Sequence, residues 1–228
     1  MKTLSIVVPV YNEAKTVNTV LERLGAVPMA GWEKEIIVVN DGSTDDTEEA
    51  LAPYRSHITY IRHPENRGKG AAVRTATALA TGDAVIIQDA DLEYDPADIP
   101  ALLAAFSKNS VHAVYGSRGQ RVFESRRPHY VAGVKLLTAL ANTCFKSRLS
   151  DIYTGYKLVR TDILKDLDLT SAGFEYEMEI TARLLKRGHR IIEVPVRYTP
   201  RDFGEGKKIR PRDGIVGIAT LARVALWK

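Results

Sequence analysis

Acidic residues recur just after short apolar runs in this 228-residue chain, and their spacing is the first sign of chemistry. Asp89-Ala90-Asp91 follows Val85-Ile86-Ile87. In a chain leaving an extended strand, residues two apart point the same way, so both carboxylates can face one point, and Glu93 joins them if the backbone stays extended. A hard divalent ion, Mg2+ or Mn2+, accepts such a set: one or two carboxylates, with diphosphate oxygens completing the shell. An isolated Asp-x-Asp would read as solvated loop acids or helix caps. Here it shares an expected rim with Glu13 and Asp41, which follow two other apolar runs. Clustered carboxylates repel, and a cation or hydroxyl donors must relieve them.

The elements that must position these residues follow from periodicity. Apolar runs at 4–10, 35–39, 58–61 and 84–87 alternate with helical patterns at 13–24, 45–51, 71–80 and 99–106, and a further strand is expected at 111–115. Strands apolar on both faces that alternate with helices predict a mainly parallel sheet flanked by helices, a Rossmann-like α/β fold. Ser43-Thr44-Asp45 and Asp95-Pro96 mark helix starts. After Arg118 the rhythm changes, with helices expected at 130–145 and 175–186, a strand at 191–196 and an amphipathic terminal helix at 215–227. The expected division is a domain over 1–200, then a basic loop and interfacial helix over 201–228. In such sheets ligands gather beyond the carboxyl ends of the strands. That rule collects Pro9, Tyr11, Asn12 and Glu13 from the first strand, Asn40, Asp41, Gly42 and Ser43 from the second, Asp89, Asp91 and Glu93 from the fourth, and Gly116, Ser117 and Arg118 from the fifth.

Composition narrows the partners. The net charge of +4 is mild and its cations cluster late, which suits a local anionic partner, a phosphate or an anionic membrane surface, better than nucleic acid. The single cysteine, Cys144, excludes an intrachain disulfide and a cysteine metal cluster and fits a reducing compartment. Met1-Lys2-Thr3-Leu4 runs into the first strand with no signal-peptide apolar segment, and no uncharged apolar run approaches the ~18 residues of a membrane span. Asn66-Arg67-Gly68-Lys69-Gly70 lacks the Walker spacing, and no G-x-G-x-x-G follows the first strand, so neither ATP hydrolysis nor dinucleotide redox chemistry is indicated. Lys69 is either a phosphate contact or a solvated residue in a helix-initiating turn. Glu175, Glu177 and Glu179 are spread around a helix by their two-residue spacing, where solvated or capping roles are expected.

Taken in order, Ile6-Val7-Val8-Pro9-Val10-Tyr11-Asn12-Glu13, Val38-Val39-Asn40-Asp41-Gly42-Ser43-Thr44-Asp45, Asn66 to Gly70, Asp89-Ala90-Asp91-Leu92-Glu93, Gly116-Ser117-Arg118 and Gly206-Lys207-Lys208-Ile209 resemble the inverting family-two glycosyltransferases of GT-A fold, in the branch of dolichyl-phosphate mannose synthases and polyprenyl-phosphate glucosyltransferases. The resemblance covers nearly the whole chain. It implies a nucleotide-sugar site in which Pro9, Tyr11 and Glu13 line base and ribose, Asp41 accepts from the base, and Lys69, Asp89 and Ala90 border the nucleotide. It places Asp91 and Glu93, with Asp89 beside them, on Mg2+ or Mn2+, Arg118 on the acceptor phosphate, and Arg201 and Lys207 on the diphosphate. It further implies transfer of mannose or glucose from GDP-mannose or UDP-glucose to a polyprenyl phosphate without a dedicated base, by an enzyme peripheral on the cytoplasmic membrane face. Two apolar segments, 130–141 after Arg121, Arg126 and Arg127, and 215–227 after Lys207, Lys208, Arg210 and Arg212, could dock on anionic lipid or complete the core. A saccharide hydroxyl acceptor stays open, and would need one of Glu175, Glu177 or Glu179 as base. A nucleotidyltransferase would need a Gly- and Arg-rich loop where Tyr11-Asn12-Glu13 stands, and an idle nucleotide-binding module would show no metal-dependent turnover.

Overall fold

Leu4, Ile6, Val8 and Val10 alternate along the first strand and are buried on one side of a sheet, while Val7 is buried on the other. A strand apolar on both faces needs cover on both, and the computed structural model, which describes residues 1–109, 111–119, 128–201 and 211–226, supplies it. β1 (Lys2–Val10) lies between β2 (Trp32–Asn40) and β4 (Ala84–Ile87), parallel to each, and β3 (Thr59–Arg62) continues the sheet beyond β2. On one face α1 (Val17–Ala26) and α4 (Ile99–Asn109) bury Val20, Leu24 and Leu102. On the other α3 (Lys69–Leu79), with α6 (Thr161–Asp166) and α7 (Tyr176–Lys186) from later in the chain, buries Ala72, Ala76, Ile180 and Leu184. The short α2 (Thr47–Leu51) follows β2.

With β5 (Ala113–Ser117), β6 (Lys157–Arg160) and β7 (Ile191–Pro195) from later in the chain, the strand order is β3-β2-β1-β4-β6-β5-β7. From β1 the chain builds outward through β2 and β3, then returns to start the other half at β4. The β1/β4 border is therefore the switch point of the sheet, where helices diverge and leave a crevice above the carboxyl ends of the strands. Glu13 emerges from one of these strands and Asp89 and Asp91 from the other.

Two elements were not foreseen from the sequence. β6 (Lys157–Arg160) inserts antiparallel between β4 and β5 (Ala113–Ser117), and α6 (Thr161–Asp166) follows it. β6 is four residues long and opens on a lysine, so neither length nor alternation marks it, yet Leu158 and Val159 are fully buried on opposite faces. Its insertion leaves β5 next to β7 (Ile191–Pro195) rather than next to β4. The expected strand at 111–115 is displaced two residues, and the helix expected from residue 13 starts at Val17, because Asn12 takes a positive φ of 51° and the chain turns at Glu13. Asp95 does mark a helix start: its Oδ1 accepts from Ala97 N at 3.0 Å, at the short turn that leads into α4.

A third apolar cluster lies outside the sheet. Leu137 and Ala141 of α5 (Pro128–Phe145), Met178 and Ala182 of α7 (Tyr176–Lys186), and Leu221 and Val224 of α8 (Pro211–Leu226) pack together. The terminal helix thus completes core with one side, while Ile215, Val216, Ile218 and Leu226 are exposed. Among the described residues no helix is long and apolar enough to cross a membrane.

Candidate active site

Asp89, Ala90 and Asp91 leave β4 at the switch point. Gln88 N still donates to Val7 O at 2.9 Å, so the strand is anchored up to the residue before Asp89. Beyond it the chain bends, with Leu92 at φ 63°, and Asp91 Oδ1 accepts from Glu93 N at 3.0 Å. Burial pushes the Asp91 carboxyl up to about 7, helped by the Asp89 and Glu93 carboxylates; the Arg201 guanidinium opposes this.

Arg201 closes the acidic group from the opposite side. Its Nη2 lies 2.9 Å from Glu13 Oε1 and 3.4 Å from Asp91 Oδ2, and its Nη1 donates to Glu13 Oε2 at 3.1 Å. Its backbone N donates to Glu93 Oε1 at 2.9 Å, and the Tyr198 hydroxyl donates to Glu93 Oε2 at 2.8 Å. Glu93 therefore fastens the segment that carries Arg201 beneath the crevice. Burial disfavours the guanidinium, but the Glu13 hydrogen bonds and the Asp91, Glu13 and Glu93 charges outweigh it and raise its pKa.

The other rim residues are held by the loops that follow β1 and β2. Asn12 N donates to Ser43 Oγ at 3.0 Å, Thr44 N to Asn12 Oδ1 at 2.8 Å and Glu13 N to Thr47 Oγ1 at 2.9 Å, which locks the two loops together. Pro9 is buried and Tyr11 partly buried beside them. Asp41, 2% exposed, accepts from His63 Nδ1 at 2.6 Å, Arg67 N at 3.0 Å and Gly68 N at 2.8 Å. Much of its acceptor capacity is spent on shaping the turn before α3. Nothing in the sequence tied His63 to this residue.

Lys69 is neither solvated nor idle. Its Nζ lies 2.7 Å from Asp89 Oδ1 and 2.9 Å from Oδ2, and 3.2 Å from Glu177 Oε1. Burial opposes its charge, yet the Asp89 carboxylate, with Tyr176 and Glu177, holds its pKa well above the ordinary lysine value. The solvated roles expected for Glu177 and Glu179 are overturned. Both are buried, because α7 is enclosed by the sheet on one side and by α5 and α8 on the other, so its polar positions lie inside. Glu179 accepts from Thr170 N and Ser171 N at 3.0 and 2.7 Å. Glu175 likewise takes the expected capping role, accepting from Ala172 N and Gly173 N.

Arg118, at the end of β5, is 4% exposed. Its Nε donates to Asp151 Oδ2 at 2.5 Å, and its guanidinium lies 4.9 Å from the Tyr198 ring centre. Asp151, which sequence reasoning missed, belongs to a loop that Thr154 fastens to Gly116 O at 2.6 Å. Lys207 lies outside the described residues, as do Lys208, Arg210, Arg121, Arg126 and Arg127; Arg212 lies in α8, but its side chain is not described.

A divalent cation fits this chemistry. Among the described residues no three His, Cys, Asp or Glu side chains are placed to hold a metal by themselves. Lys69 occupies Asp89, and the Tyr198 hydroxyl and the Arg201 backbone N occupy Glu93; Asp91 stays crowded by like charge despite the Arg201 guanidinium at 3.4 Å and is the carboxylate that gains most from a cation. Mg2+ and Mn2+ tolerate one such ligand when phosphate oxygens and water complete the shell.

Comparisons with known proteins bear on what this site serves. The glycosyl transferase family 2 model matches residues 5–168. The whole chain is 31% identical to 94% of an undecaprenyl-phosphate mannosyltransferase from Micrococcus luteus. Over 90% of the chain it is 29% identical to a dolichol-phosphate mannosyltransferase from Pyrococcus furiosus, of whose length it spans 58%. Over 91% it is 28% identical to an undecaprenyl-phosphate 4-deoxy-4-formamido-L-arabinose transferase from Klebsiella pneumoniae, of whose length it spans 63%. In structure the chain is similar to glucosyl-3-phosphoglycerate synthase from Mycobacterium tuberculosis in complex with Mn2+, UDP and phosphoglyceric acid, at a TM-score of 0.75 and 24% identity over 99% of this chain and 79% of that one. The same enzyme in complex with Mg2+ and UDP matches at 0.69 and 22%, over 98% of this chain and 79% of that one. The shared fold is GT-A, as the resemblance carried by the order of the motifs implied.

Proposed function

The chain belongs to glycosyl transferase family 2 and is a glycosyltransferase, and from that premise we propose that it transfers a hexose, mannose or glucose, from GDP-mannose or UDP-glucose to a polyprenyl phosphate with inversion at the anomeric carbon. The carrying observation is the carboxylate group that follows β4, Asp89, Asp91 and Glu93, with the Arg201 guanidinium 3.4 Å from Asp91. Such a site suits a diphosphate that arrives with its own cation and whose charge grows as the sugar departs. The name of the Micrococcus relative, of whose length the chain spans nearly all, supplies the acceptor class and one of the two sugars.

In this reading Pro9, Tyr11 and Glu13 border base and ribose, Asp41 shapes the loop that carries the nucleotide's edge, and Asp89 lies against the nucleotide. Asp91 would hold the Mg2+ or Mn2+, with Glu93 behind it fixing the 198–201 segment. The bound metal supplies Lewis acidity that draws electron density from the diphosphate. An acceptor phosphate oxygen attacks the anomeric carbon from the face opposite the nucleotide. The carbon–oxygen bond to the diphosphate breaks, its electron pair stays on the leaving oxygen, and Arg201 leaves its carboxylate partners to neutralise it. A lipid monophosphate with a second pKa of about 6 is largely dianionic near neutral pH and has no proton to lose, so no base is required. A sugar hydroxyl would need one, and Glu177 and Glu179, two of the acids in question, are buried in ion pairs. Arg118 acts near the acceptor by holding the Asp151 loop. The exposed apolar side chains of α5 and α8, Leu136, Leu140, Ile215 and Ile218, supply the peripheral contact with the cytoplasmic membrane face.

The test is incubation of purified protein with GDP-mannose, UDP-glucose and other nucleotide sugars, Mg2+ or Mn2+, and polyprenyl phosphate, with mass spectrometry for glycolipid. Product is expected with one donor and lost on chelation. Product on a saccharide hydroxyl and none on the lipid phosphate would overturn the acceptor.

A further inference from the structure

Charges alternate inward from the rim of the site. Asp89 meets the Lys69 ammonium, Lys69 meets Glu177 at 3.2 Å, and Glu177 Oε2 lies 3.8 Å from the Nζ of Lys157. Lys157 is fully buried and anchored by donation to Ile152 O at 3.0 Å and to Thr154 O, so the inner end of the row is fixed to backbone. The Tyr176 hydroxyl donates to Glu177 at 3.3 Å, and the Tyr176 ring lies 5.5 Å beneath the Lys69 ammonium. Of these groups only Asp89 and Lys69 stand at the rim. Glu177 is 6% exposed and meets the rim through Lys69.

The fold goes to some length to bring these residues together. Lys69 and Glu177 are 108 positions apart. They meet because the start of α3 docks on the backbone that leads into α7, where Ala71 N donates to Ala172 O at 3.1 Å. That docking requires glycines: Gly68 holds φ +94° against Ala172 O, and a Cβ on Gly70 would stand 2.6 Å from Ser171 O and 2.9 Å from Gly173 O. The turn of Asn66 to Gly70, which has no Walker spacing, thus presents a lysine to a carboxylate rather than a backbone cradle to a phosphate.

A lysine ammonium on four methylenes has three donors and many rotamers, and one surface partner does not fix it. Two partners on opposite sides do. We propose that Glu177 is a positioning residue for glycosyl transfer: it fixes the Lys69 ammonium, which grips both oxygens of Asp89 and holds that carboxylate in the orientation that receives the nucleotide. The inference rests on the donor-site reading above, which places Asp89 against the nucleotide.

The test compares Glu177→Gln, Lys69→Met and the double variant in steady-state transfer with varied nucleotide sugar and varied lipid phosphate, and in calorimetric binding of GDP and UDP without acceptor. Lys69→Met is expected to raise the donor KM roughly tenfold, the size of one charge-assisted hydrogen bond, and Glu177→Gln by a smaller factor, with the acceptor KM unchanged in both. Because Glu177 acts through Lys69, the double variant is expected to match Lys69→Met alone, a non-additivity that independent sites do not show. Glu179→Gln, two residues along the same helix, serves as comparison and should lower the melting temperature without moving the donor KM. If Glu177→Gln fails to fold, Glu177→Asp, one methylene shorter, should show the same donor KM rise. An unchanged donor KM, effects that add in the double variant, or a drop in kcat alone with both KM values intact would each overturn the inference. Should the unaltered protein bind neither GDP nor UDP, the donor-site reading itself falls, an outcome distinct from intact binding that the Glu177 variants leave unchanged.

Discussion

Replacing Asp91 by asparagine isolates the electrostatic cost built into the site. The carboxyl is raised from 3.8 to about 7 by burial and by Asp89 and Glu93, so the fold disfavours its charged form. Below pH 3.8 the group is protonated whether the chain is folded or not, and it costs nothing. Between 3.8 and about 7 the unfolded chain releases the proton while the folded one keeps it, so stability falls as pH rises; above about 7 the loss is complete. At about 1.4 kcal/mol per pH unit over roughly three units, the ceiling is about 4 kcal/mol, with the opposing Arg201 contact already counted in the value of about 7. Asparagine keeps the shape and can still accept from Glu93 N. Urea denaturation of the metal-free protein, chelator present, at several pH values from 4 to 8 measures the difference. Asp91→Asn should match the unaltered protein near pH 4 and exceed it by up to about 4 kcal/mol at pH 8. Mn2+ at pH 8 should then stabilise the unaltered protein and leave the variant almost unmoved, with transfer activity abolished in the variant. A stability difference that does not change with pH, or a variant weaker than its parent at pH 8, refutes the reasoning.

Arg118→Ala leaves the Asp151 carboxylate buried without its partner and should cost about 3–5 kcal/mol of stability, read by denaturation, before any effect on acceptor use can be scored. Lys157 is lowered from 10.5 to about 8 by burial. Below about 8 it is charged in both states and its burial cost is fully felt; between 8 and 10.5 the unfolded chain holds the proton that the folded one has lost, so stability rises with pH. The unaltered protein should therefore gain on Lys157→Met as denaturation is moved from pH 7.5 to 10, and a constant difference would contradict the assignment. Gly70→Ala drives a Cβ into the carbonyl oxygens of Ser171 and Gly173 and should destabilise by about 1–3 kcal/mol, with a lowered melting temperature and a raised donor KM because the Lys69 contact shifts with it.

The half of the fold that was legible from sequence is the half built from local signals. β1 to β4 and the helices between them announce themselves by apolar runs and by punctuation such as Asp95-Pro96, because a strand buried on both faces cannot hide its composition. β6 stayed invisible because it is short, begins with Lys157 and gains its place only by pairing with β4 and β5, from residues over 40 positions away. α7 was seen as a helix yet misjudged, since the burial of Glu177 and Glu179 depends on what encloses α7, not on its own periodicity.

The same division runs through the site. The sequence by itself determined that Asp89 and Asp91 leave a strand end together and that Glu13 and Asp41 leave the ends of two other strands, because alternation and strand-end position are properties of a few consecutive residues; that those strands are neighbours, and that Glu93 stays in the group although the chain bends at Leu92, was decided by the fold. Only the tertiary structure decided who answers those charges. Arg201 faces Glu13 across 188 positions, Lys69 bridges Asp89 to Glu177 across 20 and 108, and Arg118 is taken up by Asp151. Coulomb attraction and desolvation act through space, and a carboxylate's protonation and partners are set by whatever the folded chain brings within a few ångströms, which no local pattern records.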